Sequence, residues 1–312
     1  MFANDFFIRR SVVFVSAVIC TFLWGSSYPA IKTGYALWQI EANDIVSQMV
    51  FAGLRFLLAG VFLLVLIEVI GRKKETFQWY KFRQVSLLGV MQTSFQYVFF
   101  YIGLAFTTGV KASIMNATGT FFSVILAHFI YTNDRLSQRK VLGCLLGFCG
   151  VFMVNFSDSL LTFDFSLAGE GAIIFAAFIL AAASIYGKKI SQSMDPMQMT
   201  AWQLTIGGLV LLILGAASGG KVHHFSFDAG LILVYLAFLS SVAFALWSVL
   251  LKHNPIGMVT IFNFLVPVFG TMLSAVFLHE SILEWKNLMA LILVCLGIYL
   301  VTSLKTKRSM TT

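Results

Sequence analysis

The chain has 312 residues, of which 59% are hydrophobic and only 11% are charged, and its mean hydropathy is +0.90. Soluble domains are roughly 45–50% apolar and about 25% charged, so this composition excludes a water-soluble fold. The formal net charge is +8, and the chain contains 32 Phe and 24 Gly. Bulky residues toward lipid and small residues at helix contacts are typical of membrane proteins, so we expect the bilayer to be its solvent.

Ten apolar segments follow one another along the chain. Each is continuous for roughly 18–25 residues, the length a helix needs to cross the membrane, whereas barrel strands would alternate over about 10 residues. The expected fold class is therefore an all-α integral membrane protein with ten transmembrane helices. The predicted segments are residues 11–32, 46–70, 84–106, 110–131, 139–156, 167–187, 197–217, 228–250, 257–279 and 286–304.

Basic residues are concentrated in alternate loops. One set of loops contains 16 Lys and Arg residues and the other contains four, while Arg55 lies inside a helix. Positive loops face the cytoplasm, so both termini are expected on that side. The excess of Lys and Arg is therefore explained by the orientation of the chain in the membrane. It does not indicate a nucleic-acid-binding surface, and no nucleic-acid partner is expected.

The second half of the chain repeats features of the first. The aligned pairs are Asn116 over Asn263 and Gly150 over Gly297 at an offset of 147 residues, and Arg55 over Gln203 and Gly60 over Gly208 at an offset of 148. We expect two five-helix repeats, residues 1–157 and 158–312. Because five is odd, the second repeat would be inverted in the membrane, an arrangement that many transporters use for alternating access.

Helix 1 contains a cluster of residues that weaken a helix: Trp24, Gly25, Ser26, Ser27, Tyr28 and Pro29. A break within the membrane is tolerated where it lines a cavity, and its freed backbone groups would bind substrate. The alternative is a simple proline kink.

Arg55 lies about ten residues into helix 2. An arginine at this depth costs roughly 2.5–3.5 kcal/mol unless it is paired or faces water, so it is expected to point inward. One interpretation is that it binds a substrate carboxylate. The other is a structural pairing with backbone carbonyls or with an acidic residue such as Glu170 or Glu280.

Other polar and aromatic residues recur on the helices expected to line a cavity. Helix 3 carries two adjoining rows of residues at intervals of four, Gln92 and Gln96 in one and Thr93, Tyr97 and Tyr101 in the other, which form a polar and aromatic stripe. The predicted substrate-binding residues are Trp24, Tyr28, Arg55, Gln96, Tyr101, Asn116, Trp247 and Asn263. The bland alternative, for about half of the polar residues, is hydrogen bonding between helices.

The sequence lacks the motifs that several kinds of chemistry require. There is no nucleotide-binding signature and no nucleophile–base or metal-ligand constellation, so no catalytic residue, cofactor or metal site is expected. No Asp or Glu lies near the middle of a predicted helix, which disfavours coupling to protons. An embedded enzyme or scaffold is the weakest of the functions considered.

Three motifs resemble the EamA-type branch of the drug/metabolite transporter superfamily. They are Trp24-Gly25-Ser26-Ser27-Tyr28-Pro29-Ala30-Ile31-Lys32, Leu54-Arg55-Phe56 and Phe277-Leu278-His279-Glu280. The resemblance implies ten helices in two inverted repeats around a central cavity, often serving export of amino acids or other metabolites from bacteria. The chain departs from the family pattern at Thr120, where a proline is common, and at Asn133-Asp134, where an acidic turn like Glu280 is usual.

The expected function is therefore a secondary transporter or facilitator that moves an amino acid or a similar metabolite outward across the bacterial cytoplasmic membrane. Its partners would be a small-molecule substrate and the lipid bilayer, and the protein would be a monomer or a homodimer. An alternative substrate is a cationic drug or quaternary amine held in an aromatic cage. Against that alternative, the predicted cavity has no central carboxylate and contains Arg55.

Overall fold

A computed structural model describes residues 6–41, 43–71, 78–107, 109–156, 165–222, 226–277 and 285–303. Within these ranges the chain forms ten helices and no strand. They are α1 (Arg10–Leu37), α2 (Ile45–Val69), α3 (Trp79–Phe106), α4 (Gly109–Ile130), α5 (Gln138–Val154), α6 (Leu167–Ser191), α7 (Pro196–Ala217), α8 (Phe227–His253), α9 (Ile256–Phe277) and α10 (Trp285–Thr302).

Each predicted apolar segment coincides with one of these helices. Among the described residues, α1 to α4 and α6 to α9 are long and apolar enough to cross a membrane, which makes eight spans. The other two are shorter: α5 has 17 residues, and the apolar part of α10 is Leu288–Thr302. That all ten helices cross the bilayer stays a prediction.

The helix starts are set by local side chains. Asp44 and Ser137 accept hydrogen bonds from the backbone N–H three residues on, at the starts of α2 and α5. Asp195 does the same for α7, whose first residue is Pro196, and Ser226 for α8. These residues satisfy backbone donors that have no partner inside the helix, which is why the chain turns helical at those points.

The irregular turns are not where the sequence suggested. α1 is continuous through Pro29, so the predicted break is wrong. The hydroxyls of Ser26 and Ser27 donate to the carbonyls of Leu23 and Trp24, three residues before them in the same helix. A π-helical turn instead occupies Val90–Phe95 in α3, and a 3₁₀ turn occupies Ile261–Phe264 in α9.

α2 and α7 meet backbone to backbone along a seam of glycines. A Cβ on Gly53 would lie 2.5 Å from the backbone nitrogen of Leu212. A Cβ on Gly208 would lie 2.4 Å from the backbone nitrogen of Leu57. One offset of 155 residues relates the two contacts, because it carries Gly53 to Gly208 and Leu57 to Leu212. The same offset relates the approaches that Gly60 and Gly215 make to the facing helix.

This seam corrects the predicted register between the halves. At an offset of 155 the residue that corresponds to Arg55 is Val210, and Gln203 corresponds to Gln48. The alignment of Arg55 with Gln203 at an offset of 148 is therefore wrong for these helices. The charge of Arg55 has no polar counterpart in α7.

A second seam joins the two shorter helices, α5 and α10. Gly150 approaches the carbonyl of Ala290, since a Cβ there would lie 2.8 Å from that oxygen. Gly297 approaches the carbonyl of Gly143 in the same way, at 2.5 Å. An offset of 147 residues relates these contacts, which is the offset that aligns Gly150 with Gly297 in the sequence.

The remaining helices pack in matching sets. α1 packs against α8 and α9, while α6 packs against α3 and α4. α3 also contacts α7, and α8 also contacts α2. The contacts of the first five helices therefore match those of the last five: α1–α8 corresponds to α6–α3, α1–α9 to α6–α4, and α3–α7 to α8–α2. The arrangement leaves α1, α2, α3 and α8 adjoining one another around the middle of α2.

Candidate functional site

Arg55 is buried in the middle of the helix assembly. It lies ten residues after the start of α2, roughly 15 Å along the helix axis, and is 4% exposed. Its Nε donates to Ser240 Oγ on α8 at 2.8 Å, and the Ser240 hydroxyl donates to the carbonyl of Leu236 at 2.7 Å. Its Cζ lies 4.9 Å from the ring centre of Phe56. The guanidinium thus makes a hydrogen bond through Nε and packs against one face of the Phe56 ring.

The acidic partner suggested by the sequence is bound elsewhere. Glu170 accepts hydrogen bonds from the hydroxyl of Thr107 at 2.6 Å and the backbone of Ser166 at 2.9 Å, and it lies 3.7 Å from Lys111. Pairing of Arg55 with Glu170 is therefore wrong, and Glu280 lies outside the described residues. Within the described ranges, Arg55 has no ion pair and its two Nη groups have no hydrogen-bond acceptor.

Three tyrosine hydroxyls lie within the electric field of the Arg55 charge. They belong to Tyr35, Tyr97 and Tyr101. Tyr35 donates to the hydroxyl of Tyr101 at 3.4 Å, and the rings of Tyr97 and Tyr101 are 6.0 Å apart. The positive charge is consequently faced by neutral groups that donate or accept hydrogen bonds.

A continuous wall of aromatic rings extends from Arg55 toward α8. Phe56 lies 4.7 Å from Tyr97 and 6.1 Å from Phe244, measured between ring centres. Trp24 lies 5.4 Å from Phe244 and 5.0 Å from Trp247. The indole Nε1 of Trp24 is buried and has no hydrogen-bond partner among the described residues. Edge-to-face contacts at these distances form one apolar surface.

We refer to these residues together as the central cluster: Trp24, Tyr35, Arg55, Phe56, Tyr97, Tyr101, Ser240, Phe244 and Trp247. Four of the predicted substrate-binding residues belong to it, namely Trp24, Arg55, Tyr101 and Trp247. Tyr35 was missed, although it follows Tyr28 by seven residues, a spacing that places both on one face of α1. Ser240 and Phe244 were missed as partners because they come from the other half of the chain.

The other predicted residues lie outside this cluster. Tyr28 packs its ring on Gly270 of α9 and is 41% exposed, within electrostatic range of Tyr97. Gln96 is buried where the π-helical turn of α3 ends. Asn116 and Asn263 lie on α4 and α9 and take no part in the ring contacts of the central cluster. The Oδ1 atom of Asn116 is buried without a described partner.

Asp134 links the α4–α5 turn to the start of α9 through hydrogen bonds. It is 2% exposed and accepts from Lys140 Nζ at 2.5 Å and from the backbone nitrogen of Gly257 at 3.0 Å. The second bond satisfies a donor in the first turn of α9. The departure from the family pattern at Asn133-Asp134 is thus occupied by a structural carboxylate.

Lys188 similarly links α6 to the end of α8 through hydrogen bonds. Its Nζ donates to the carbonyl of Leu251 at 2.8 Å and also to the carbonyl of Asn254, and it lies 5.5 Å from the ring centre of Tyr131. The Asn254 amide donates to the carbonyl of Phe7 at 2.9 Å. These bonds join α6, the end of α8 and the start of the chain.

A bundle of long apolar helices around a buried cationic and aromatic cluster defines a multi-pass membrane protein of the transporter class. The model of the EamA-like transporter family matches the chain twice, at residues 12–156 and 167–303. The chain therefore belongs to the EamA-like transporter family.

Relatives with known names are similar over nearly the whole chain. "Uncharacterized transporter YoaV" of Bacillus subtilis is 25% identical and covers 93% of this chain and 96% of its own length. "Probable amino-acid metabolite efflux pump" of Salmonella typhimurium is 27% identical and covers 91% and 92%. A solved crystal structure superposes with a TM-score of 0.76 at 16% identity, covering 95% of this chain and 98% of that one. At that identity the likeness shows the fold.

Proposed function

We propose that this protein is a secondary transporter or facilitator of small metabolites that exports an amino acid or a related metabolite across the bacterial cytoplasmic membrane. The observation that carries the proposal is the central cluster. A buried arginine without an ion pair among the described residues, next to an aromatic wall, is expensive in a membrane and is typical of a ligand site. The name of the Salmonella relative supports the amino-acid class.

The transport mechanism that we propose is alternating access between two inverted five-helix repeats, with both termini in the cytoplasm. The two matches of the family model and the matching helix contacts support the repeats. The basic loops support the orientation. In such folds the substrate lies near the midplane, where the repeats meet, and the central cluster occupies that depth of α2.

A cationic drug or quaternary amine is the second candidate substrate. The rings of Trp24, Phe244 and Trp247 favour it, because aromatic faces attract cations. Arg55 opposes it, because a like charge in a medium of low dielectric repels the ligand strongly. We propose transport without a chemical step, and the names of the relatives as transporters support this.

The test is flux into liposomes containing the purified full-length protein, measured with a panel of radiolabelled amino acids, organic acids and quaternary amines. We expect saturable flux of one metabolite class above empty liposomes, and faster exchange when the liposomes are preloaded with the same compound unlabelled. The variant Trp24→Leu should lose flux, whereas Trp202→Leu, a half-exposed tryptophan on α7, should keep it. Absence of specific flux across the whole panel would reject the proposed function.

A further inference from the structure

We propose that Arg55, with the hydroxyls of Tyr97 and Tyr101, forms a carboxylate-binding subsite, and that the substrate is a monocarboxylate with an apolar body whose amino group is not recognised. The inference rests on the proposed transport function and names the class of substrate that the central cluster takes. Its support comes from the hydrogen bonding of the guanidinium, the direction of the hydroxyl donors and the position of the acidic residues.

The guanidinium presents its outer edge to a ligand. Ser240 occupies Nε and is itself fixed, because its hydroxyl donates to Leu236 and the neighbouring Ser241 donates to the carbonyl of Ala59 at 2.9 Å. The two Nη groups have no acceptor in the described part of the chain. Parallel bonds from two guanidinium nitrogens match the two oxygens of a carboxylate, and a bound anion also neutralises a charge that is costly at this depth.

The central cluster also contains tyrosine hydroxyls that can donate to a ligand. Because Tyr35 donates to Tyr101, the oxygen of Tyr101 already has one proton directed at it and its own proton is available to another acceptor. Tyr97 lies next to Tyr101, and its ring centre is 4.7 Å from that of Phe56, the ring that the guanidinium covers. A carboxylate at Arg55 would thus receive charge-assisted hydrogen bonds from neutral donors as well as from the cation.

The aromatic wall gives the rest of the molecule an apolar surface. It starts at Phe56, directly under the guanidinium, and continues through Phe244 to Trp24 and Trp247. A ligand bound by its carboxylate at one end therefore places its body against rings. Burial of this body follows the area removed from water and does not require a further polar group.

Among the described residues, a substrate ammonium finds no counter-ion in the central cluster. Every acidic residue in the described ranges lies in a loop or close to a helix end: Glu41, Asp44, Glu68, Asp134, Glu170, Asp195 and Asp228. The groups that face Arg55 from α1, α2, α3 and α8 are hydroxyls and rings. Removing the amino group should therefore leave affinity unchanged or raise it, and removing the carboxylate should lower it at least tenfold.

The experiment titrates two ligand series against the purified full-length protein in detergent and reads the rise in melting temperature, which reports binding to the folded state. One series is leucine, 4-methylpentanoate and 3-methylbutylamine. The other is phenylalanine, 3-phenylpropanoate and 2-phenylethylamine. We expect both acids to bind as tightly as the amino acids or more tightly, and both amines to bind at least tenfold more weakly.

Variants assign the effect to the guanidinium. Arg55→Gln should weaken binding of the acids about 10- to 100-fold, the loss expected for charge-assisted hydrogen bonds, and should abolish discrimination against the amines. Arg55→Lys should give an intermediate loss, because lysine keeps the charge but lacks the fork. Arg83→Gln removes an exposed arginine of α3 and should change nothing. If Arg55→Gln does not fold, the ligand series on the wild-type protein decides.

Four results would overturn the inference. They are amines that bind as tightly as the acids, amino acids that bind more than tenfold tighter than their deaminated acids, undiminished binding of the acids to Arg55→Gln, and a melting temperature that none of the six compounds raises. Each of them leaves the transport function to be judged by the liposome flux panel, which includes other metabolite classes. Failure of the substrate class is thereby distinguished from failure of the function.

Discussion

Replacing Gly208 with alanine puts a methyl group into the closest backbone approach between α2 and α7. The added Cβ would lie 2.4 Å from the backbone nitrogen of Leu57, whereas ordinary contacts are 3.4–4 Å. The obstructing atom is backbone, so no rotamer change relieves the clash. The helices must separate along the seam, and Gly53→Ala forces the same separation from the other side.

The expected loss follows from two opposing effects. Overpacking a close-packed contact costs about 1–3 kcal/mol, and a backbone clash belongs at the upper end of that range. Alanine favours a helix over glycine by about 1 kcal/mol, which offsets part of the cost. We expect Gly208→Ala to lower the free energy of unfolding by about 2 kcal/mol.

The assay is equilibrium unfolding of the full-length protein in mixed micelles, followed by helix content. Gly187→Ala on α6 is the matched control, since its Cβ would meet Leu88 Cδ2 at 3.5 Å, an ordinary contact. That variant should be as stable as the wild type or up to about 1 kcal/mol more stable. If Gly208→Ala proves as stable as Gly187→Ala, the backbone seam between α2 and α7 is refuted.

Three further predictions concern polar contacts. Asp134→Ala should cost about 3–5 kcal/mol of unfolding free energy because it leaves Lys140 buried without its anion, and the double variant Asp134→Ala/Lys140→Met should lose less than the single one in the same assay. Lys188→Met should cost about 1–3 kcal/mol by leaving two carbonyls at the end of α8 without their donor, measured against Lys189→Met, which changes an exposed side chain. Ser240→Ala should weaken binding of 3-phenylpropanoate about tenfold without changing the preference for acids over amines, because the guanidinium keeps its charge and loses only its anchor.

The helices themselves were predictable from the sequence. Their lengths follow from the thickness of hydrocarbon that an apolar segment must cross, and their starts follow from single capping residues such as Asp44 and Asp195. The continuity of α1 through Pro29 was not predictable, because whether a proline interrupts a helix depends on the packing and hydrogen bonding around it.

The register between the halves shows a different limit. Glycines stand seven residues apart in both α2 and α7, so offsets of 148 and 155 each place a glycine over a glycine. The sequence alone does not distinguish them, and the choice of 148 paired Gly60 with Gly208. The packing distinguishes them, because only 155 also relates Leu57 to Leu212 across the seam.

The site was predictable in part for a physical reason. Polar and charged side chains in a bilayer are expensive wherever they stand, so Arg55 points inward whatever its partners are. Their partners depend on how distant segments of the chain meet. Ser240 is 185 residues from Arg55 in the chain, and no local pattern indicates that the two side chains touch.

Arg55 and Val210 occupy matching positions of α2 and α7, so the charge makes two otherwise similar helices different. Both helices of the glycine seam approach each other in the same way, yet only one of them carries a charge at that depth. A binding site with the same groups on both helices would bind an elongated ligand in two opposite orientations. In the proposed carboxylate subsite, α2 supplies the charge of Arg55, whereas the matching position of α7 is Val210. We therefore expect a bound monocarboxylate to take one orientation, with its carboxylate toward α2.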